Sequence, residues 1–355
     1  MEPVIFESHS THDDFIVSVI KLNAPKSLNA LTLEMVDSLQ AHLDEMRNNE
    51  KVVAIVLDSV IEKAFCAGGD VVSITQAWSQ GNEDLGKTFF EREYTLDLTI
   101  HNYPKPIICI ANGIVLGGGM GLMNGSSHRI VTETTYMAMP EISIGLFPDV
   151  GGSWFLNQLP QGMGLFLGLT AAPMNAKDAT YLGLADYMIT TELTQQLLTE
   201  LLKADWKMPA PEAIEQVLST LQSASVAQFA EMQSSCERHY PLIKEATEKS
   251  SITAVANGIL AIDAQDKWLD KAKANLEYGS PLAAWVIHQQ LQRGKGLPLK
   301  EVFAMELHMA ISSLAVGDFV EGVRALLIDK DRAPQWRYAT IDTVDPNHVN
   351  QFWLN

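Results

Sequence analysis

Short runs of β-branched and apolar residues alternate along the first half of the chain with longer stretches of helical period. "FIVSVIKL" at 15–22, "VVAIVLD" at 52–58 and "PIICIAN" at 106–112 predict strands. Between them, "TLEMVDSLQAHLDEMRNN" and "FFEREYTLDLTIHN" place apolar residues at helical spacing. "HRIVT", "TYMAMP" and "GLADYMI" continue the alternation, which predicts α/β organisation with parallel strand neighbours. From about residue 190 to 330 the pattern is almost wholly helical, with breaks expected at Pro209, Pro241, "YGSP" and "GKGLP".

At 355 residues the chain exceeds what one hydrophobic core usually fills, so a domain with an appended helical part is expected. Hydrophobic residues make up 47% and charged ones 19%, an ordinary globular balance. A formal charge of −18 repels phosphate backbones and anionic lipid, which argues against nucleic acid and membrane partners. The three cysteines, Cys66, Cys109 and Cys236, are too few and scattered for a disulfide framework. "MEPVIFESHS" has no basic or apolar leader character, and no apolar run approaches a bilayer span. The expectation is a cytoplasmic protein.

Three motifs are candidates for chemistry. "GNEDLGKT" at 81–88 fits the phosphate-loop spacing, but no strand leads into it, and Glu83 and Asp84 would face the phosphates, so a solvated turn is expected. "KAFCAGGD" at 63–70 and "NGIVLGGGMG" at 112–121 are glycine turns after strands, each able to expose backbone N–H groups. Asp70 is placed to cap the helix that follows the first turn. Two such donors suit a carbonyl oxygen that gains charge in a transition state. "MPEISIGLFPDVGG" at 139–152 puts Glu141 and Asp149 in an apolar segment with no cation, an expensive arrangement unless the acids are used. Neither a nucleophile elbow nor a metal-ligand spacing is present, so neither metal nor cofactor is expected. Plain alternatives stay open: Asp149 as a helix cap, Glu141 bridged to Arg92 or Arg129, and Glu93 on a solvated face with Glu91 and Arg92.

"KAFCAGGDV", "NGIVLGGGMGL", "AMPEISIGLFPDVGGSWFL" and "DFVEGVRALLIDKDRAPQW" together resemble the crotonase (enoyl-CoA hydratase/isomerase) superfamily, and within it the 3-hydroxyisobutyryl-CoA hydrolase branch. The match keeps one register from about residue 15 to 338. It implies a spiral core of repeated ββα units binding acyl-CoA over residues 1–215, and a helical C-terminal region over 216–355 packed on it. It further implies an oxyanion hole at Gly69 and Gly118, catalytic acids at Glu141 and Asp149, and substrate contacts at Glu93, Ala67 and Asp70. Lys26, Lys330 and Arg332 are the basic candidates for the coenzyme A phosphates. Hydratases of the family carry Glu in "GGGCE" and Gly after the second motif, where this chain has Gly121 and Asp149. The exchange implies thioester hydrolysis in valine degradation. A hydratase or isomerase, and a non-catalytic acyl-CoA-binding protein, are the alternatives, and homo-oligomerisation is left open.

Overall fold

The computed structural model describes residues 2–353. Its strands are β1 Val4–Ser10, β2 Ile16–Leu22, β3 Val52–Ser59, β4 Ala64–Cys66, β5 Ile107–Ala111, β6 Ile114–Leu116, β7 His128–Val131, β8 Tyr136–Ala138 and β9 Tyr187–Met188. They form a larger sheet in the order β1-β2-β3-β5-β7-β9 and a smaller one in the order β4-β6-β8. From β3 to β8 the strands go alternately to the two sheets. This is the expected ββα repetition: the pairs β3–β4 and β5–β6 each lead into a helix, and β7–β8 leads into the 3-10 turn Glu141–Ile144.

The parallel pairs β2·β3, β3·β5, β5·β7 and β7·β9 need crossovers, which the intervening segments supply. β5 is buried at every residue, as a strand covered on both faces must be. β1 pairs antiparallel with β2 and exposes alternate residues, as a half-solvated edge strand does.

The helices are α1 Leu33–Arg47, α2 Val71–Ser79, α3 Glu83–His101, α4 Gly118–Gly125, α5 Gly152–Phe155, α6 Met163–Thr170, α7 Ala176–Tyr181 and α8 Thr191–Lys203. After these come α9 Ala210–Ser225, α10 Ser235–Thr247, α11 Ile252–Leu260, α12 Lys267–Tyr278, α13 Pro281–Gly294, α14 Leu299–Ala315, α15 Phe319–Val323 and α16 Pro346–Asn350. Three expected breaks occur: Pro209 precedes α9, Ser280 caps α13 through Ala283 N–H, and "GKGLP" separates α13 from α14. Pro241 is not a break, since α10 continues through it. Buried His239, Ile243 and Ala246 anchor that helix on either side of the proline, and tertiary packing outweighs the lost hydrogen bond.

The chain forms two compact units. One comprises the residues up to Gly69, Thr95–Met137 and Met174–Ser234; the other comprises Asp70–Tyr94, Ala138–Pro173 and the residues from Ser235 onward. The first holds the larger sheet, and its apolar cluster joins Val17, Val56, Ile108 and Ile130 of the strands to Leu197, Leu201 and Leu218 of α8 and α9. In the second, the turn Glu141–Ile144 is seated against the start of α15. A Cβ on Gly322 would come within 2.3 Å of the Ile144 backbone, and one on Gly145 within 2.6 Å of Asp318. Only glycine permits these approaches, so the position of Glu141 depends on them.

Candidate functional site

The second unit gathers its acids from four places in the sequence. Glu93 and Tyr94 come from α3, where Glu91 and Arg92 are exposed while Glu93 is 2% exposed. A solvated charged face therefore accounts for Glu91 and Arg92 but not for Glu93. Glu141 begins its 3-10 turn and Asp149 lies in the loop before α5, both buried. Glu306, on α14, is completely buried.

Tyr94 donates its hydroxyl hydrogen to Asp149 Oδ2 at 2.6 Å. Its ring lies between Phe90 and Phe303, with centroids 5.8 and 5.9 Å away, which fixes where the hydroxyl points. Asp149 is not the cap of α5. Gly151 occupies that position with no side-chain cap, and the N–H groups of Gly151 and of Ser153 in the first turn donate instead to Glu306 at 2.7 Å each. Nor does Glu141 bridge to Arg129, which pairs with Asp186. Glu141 Oε2 and Glu93 Oε1 are buried without a hydrogen-bond partner, an uncommon condition for a carboxyl group.

These environments separate the acids by proton affinity. Burial pushes Asp149 up to about 6, with the Tyr94 hydrogen bond holding it down. Burial raises Glu141 and Glu93 well above the carboxylate range, and the nearby charge of Asp149 raises both further. Burial likewise takes Glu306 up to about 8, against the opposing pull of the Ser153 and Gly151 N–H groups. Of the set, Asp149 is thus the acid that gives up its proton most readily, and Glu141 holds its proton more tightly. A pair of acids separated in this way can accept a proton at one member and supply one from the other.

The first unit brings its two glycine turns together by itself. Gly68 has φ +107, and a Cβ there would lie 3.5 Å from Leu116 O and 3.9 Å from Gly118 N. Gly119 is closer still to the other turn, since its Cβ would meet Cys66 O at 2.6 Å. Gly118 opens α4, so its N–H belongs to the first turn, which has no acceptor within the helix. Gly69 lies just past β4 in a parallel bridge to Leu31. Ala67, half-buried beside it, donates its N–H to Leu28 O. Asp70 caps α2, accepting from Ser73 N–H and Ser73 Oγ.

The three basic candidates are all exposed: Lys26 in the turn Pro25–Ser27, and Lys330 and Arg332 in left-handed backbone after α15. Asp329 and Asp331, beside them in sequence, both bind Arg324. Among the described residues no group of His, Cys, Asp and Glu is arranged to hold a metal ion, and no helix is long and apolar enough to cross a membrane.

Sequence reasoning missed Tyr94 and Glu306, and also Gln290, which donates to Pro148 O and Ser153 Oγ on either side of Asp149. The only trace of Tyr94 was its place beside Glu93 in "EREY". Glu306 was signalled only by standing within the apolar "VFAMELHMAISSLA".

A sequence model of the enoyl-CoA hydratase/isomerase family matches residues 17–353. The mitochondrial 3-hydroxyisobutyryl-CoA hydrolase of Danio rerio is 36% identical over 94% of this chain and 86% of its own length. The human mitochondrial enzyme of the same name is 33% identical over 94% of this chain and 84% of its own length. Among solved structures, an enoyl-CoA hydratase from Rhodobacter sphaeroides superposes with a TM-score of 0.84 at 30% identity, covering 99% of this chain and 97% of that one. The relatives so named are mitochondrial, which points away from the cytoplasmic location expected from the sequence. That expectation rested on the character of "MEPVIFESHS", a weaker indicator than relatives matched along most of the chain.

Proposed function

The chain belongs to the enoyl-CoA hydratase/isomerase family, and from that premise we propose that it is an acyl-CoA thioester hydrolase that converts 3-hydroxyisobutyryl-CoA to 3-hydroxyisobutyrate and coenzyme A. The observation that carries this reading is the environment of Asp149, which is buried, has no cation partner among the described residues, and is bound by Tyr94. Gly121, standing where the family's hydratases carry a Glu, speaks against water addition to a double bond. The names of relatives that match nearly the whole chain agree with hydrolysis.

In this reading Asp149 accepts a proton from water as the water oxygen bonds to the thioester carbon. The carbonyl oxygen takes up negative charge, and the backbone N–H groups of Gly69 and Gly118 are the proposed donors to it. When the C–S bond breaks, the electron pair leaves on sulfur and Glu141 supplies the proton that completes the thiol. Glu93 and Asp149 are further candidates to bind the substrate's 3-hydroxyl. Lys26, Lys330 and Arg332 remain proposals for the phosphates.

The test is coenzyme A release followed with a thiol reagent. 3-Hydroxyisobutyryl-CoA should be hydrolysed, isobutyryl-CoA should react much more slowly, and crotonyl-CoA should not be hydrated. A site built around a hydroxyl discriminates strongly against an analogue that leaves its polar groups unpaired. Hydration of crotonyl-CoA without thiol release would overturn the assignment.

The pH profile gives a second check. With Asp149 titrating at about 6, kcat/KM should fall as the pH drops below that value, because a protonated Asp149 cannot take a proton from water. The decline should approach tenfold per pH unit. A profile that stays flat to pH 5 would remove Asp149 from the base's role.

A further inference from the structure

The loop that carries Asp149 is held at both ends by side chains far away in sequence. On one side, Gln290 of α13 donates from Nε2 to Pro148 O at 2.5 Å and to Ser153 Oγ at 2.9 Å. On the other, the two oxygens of Glu306 accept the N–H groups of Gly151 and Ser153. Between these anchors the backbone turns through two successive left-handed residues, Val150 at φ +53 and Gly151 at φ +86. A β-branched residue in that region is strained and persists only where its surroundings impose it.

We infer that Glu306 is a positioning residue for Asp149, and that a single face of α14 sets both the loop bearing this acid and the hydroxyl that binds it. Glu306 and Phe303 are three residues apart, on neighbouring positions of one helix face. Glu306 holds the backbone on the C-terminal side of Asp149. Phe303 packs on the ring of Tyr94, whose hydroxyl donates to Asp149. Phe303 also lies 3.3 Å from where a Cβ on Gly151 would sit, so the same ring bounds the loop.

Capping α5 alone would not call for such a residue. A Ser or Asp at the cap position does that locally, whereas a fully buried carboxyl group costs desolvation. What Glu306 adds is a link from the core of α14 to the strained turn beside Asp149.

This inference rests on the proposed role of Asp149, so Asp149→Asn is measured alongside. Glu306→Gln keeps the shape but offers one acceptor oxygen, and its NH2 group faces the second N–H. We expect kcat for 3-hydroxyisobutyryl-CoA to fall about 10- to 100-fold with KM within about threefold of the native value, measured well below the melting temperature. A merely structural role would lower the melting temperature and leave kcat of the folded protein intact. A folded Glu306→Gln variant with native kcat, or one altered only in KM, overturns the inference. If that variant does not fold, Gln290→Leu decides on the same criteria, with an expected loss in kcat of about five- to tenfold. If Asp149→Asn retains turnover, the role of Asp149 itself fails. If Asp149→Asn is inactive while the clamp variants are native, only the positioning role fails.

Discussion

Replacing Glu141 by Gln is expected to reduce turnover of 3-hydroxyisobutyryl-CoA by at least ~10²-fold, the lower end of what a positioned acid or base contributes. Gln matches Glu in shape but neither gives nor takes a proton. Glu141 is buried and holds its proton more tightly than Asp149 does, so an amide of the same shape adds no unpaired charge to the site. Folding and thioester binding should therefore survive. The checks are coenzyme A release, circular dichroism, and binding of a slow thioester such as isobutyryl-CoA. Near-native turnover in the folded variant would show that the buried acid of "PEIS" is structural. Loss of binding together with turnover would show that it orders the pocket rather than moving a proton.

Much of this architecture was legible because long elements carry strong periods. β2, β3 and β5 are β-branched runs that predict themselves, and α1 and α3 keep a helical spacing over fifteen or more residues. β4, β6 and β8 have three residues each; β8 lies in "TYMAMP", which the alternation reached, but runs so short carry no sign that the three strands pair in a sheet of their own. β1 was passed over because its edge position gives it alternating polar residues, "VIFESHS", in a segment read only for leader character. Pro241 was read by its local rule, and packing overrode that rule.

The acids of the candidate site divide along the same line. Glu141 and Asp149 could be found because they stand eight residues apart in a segment without a cation. Glu93 could not be told from its exposed neighbours by spacing alone; the resemblance singled it out. Glu306 acquires meaning only in three dimensions, since its partners Gly151 and Ser153 lie more than 150 residues earlier in the chain. A lone Glu in an apolar helix reads as a solvated residue until the helix is seen to be buried around it. Desolvation is a property of the fold, which no local pattern records.

Gly118→Pro should lower kcat by about 10²- to 10³-fold, the cost of losing one donor from an oxyanion hole, equivalent to about 3 to 4 kcal/mol. The substitution is informative because Gly118 is the first residue of α4. Its N–H has no partner within the helix, and Pro is accepted at that position because no helical hydrogen bond is lost. The helix should therefore start as before while its donor is deleted. Gly118→Ala separates the donor from crowding, because Ala adds a Cβ but keeps the N–H. If the N–H is what matters, Ala should retain most of the turnover that Pro loses. Equal loss in both would assign the glycine to steric clearance, in keeping with the close approach of Gly119 to Cys66. A folded Gly118→Pro variant with native turnover would mean that the thioester oxygen is held elsewhere, and the two convergent turns of the first unit would then be a packing device alone.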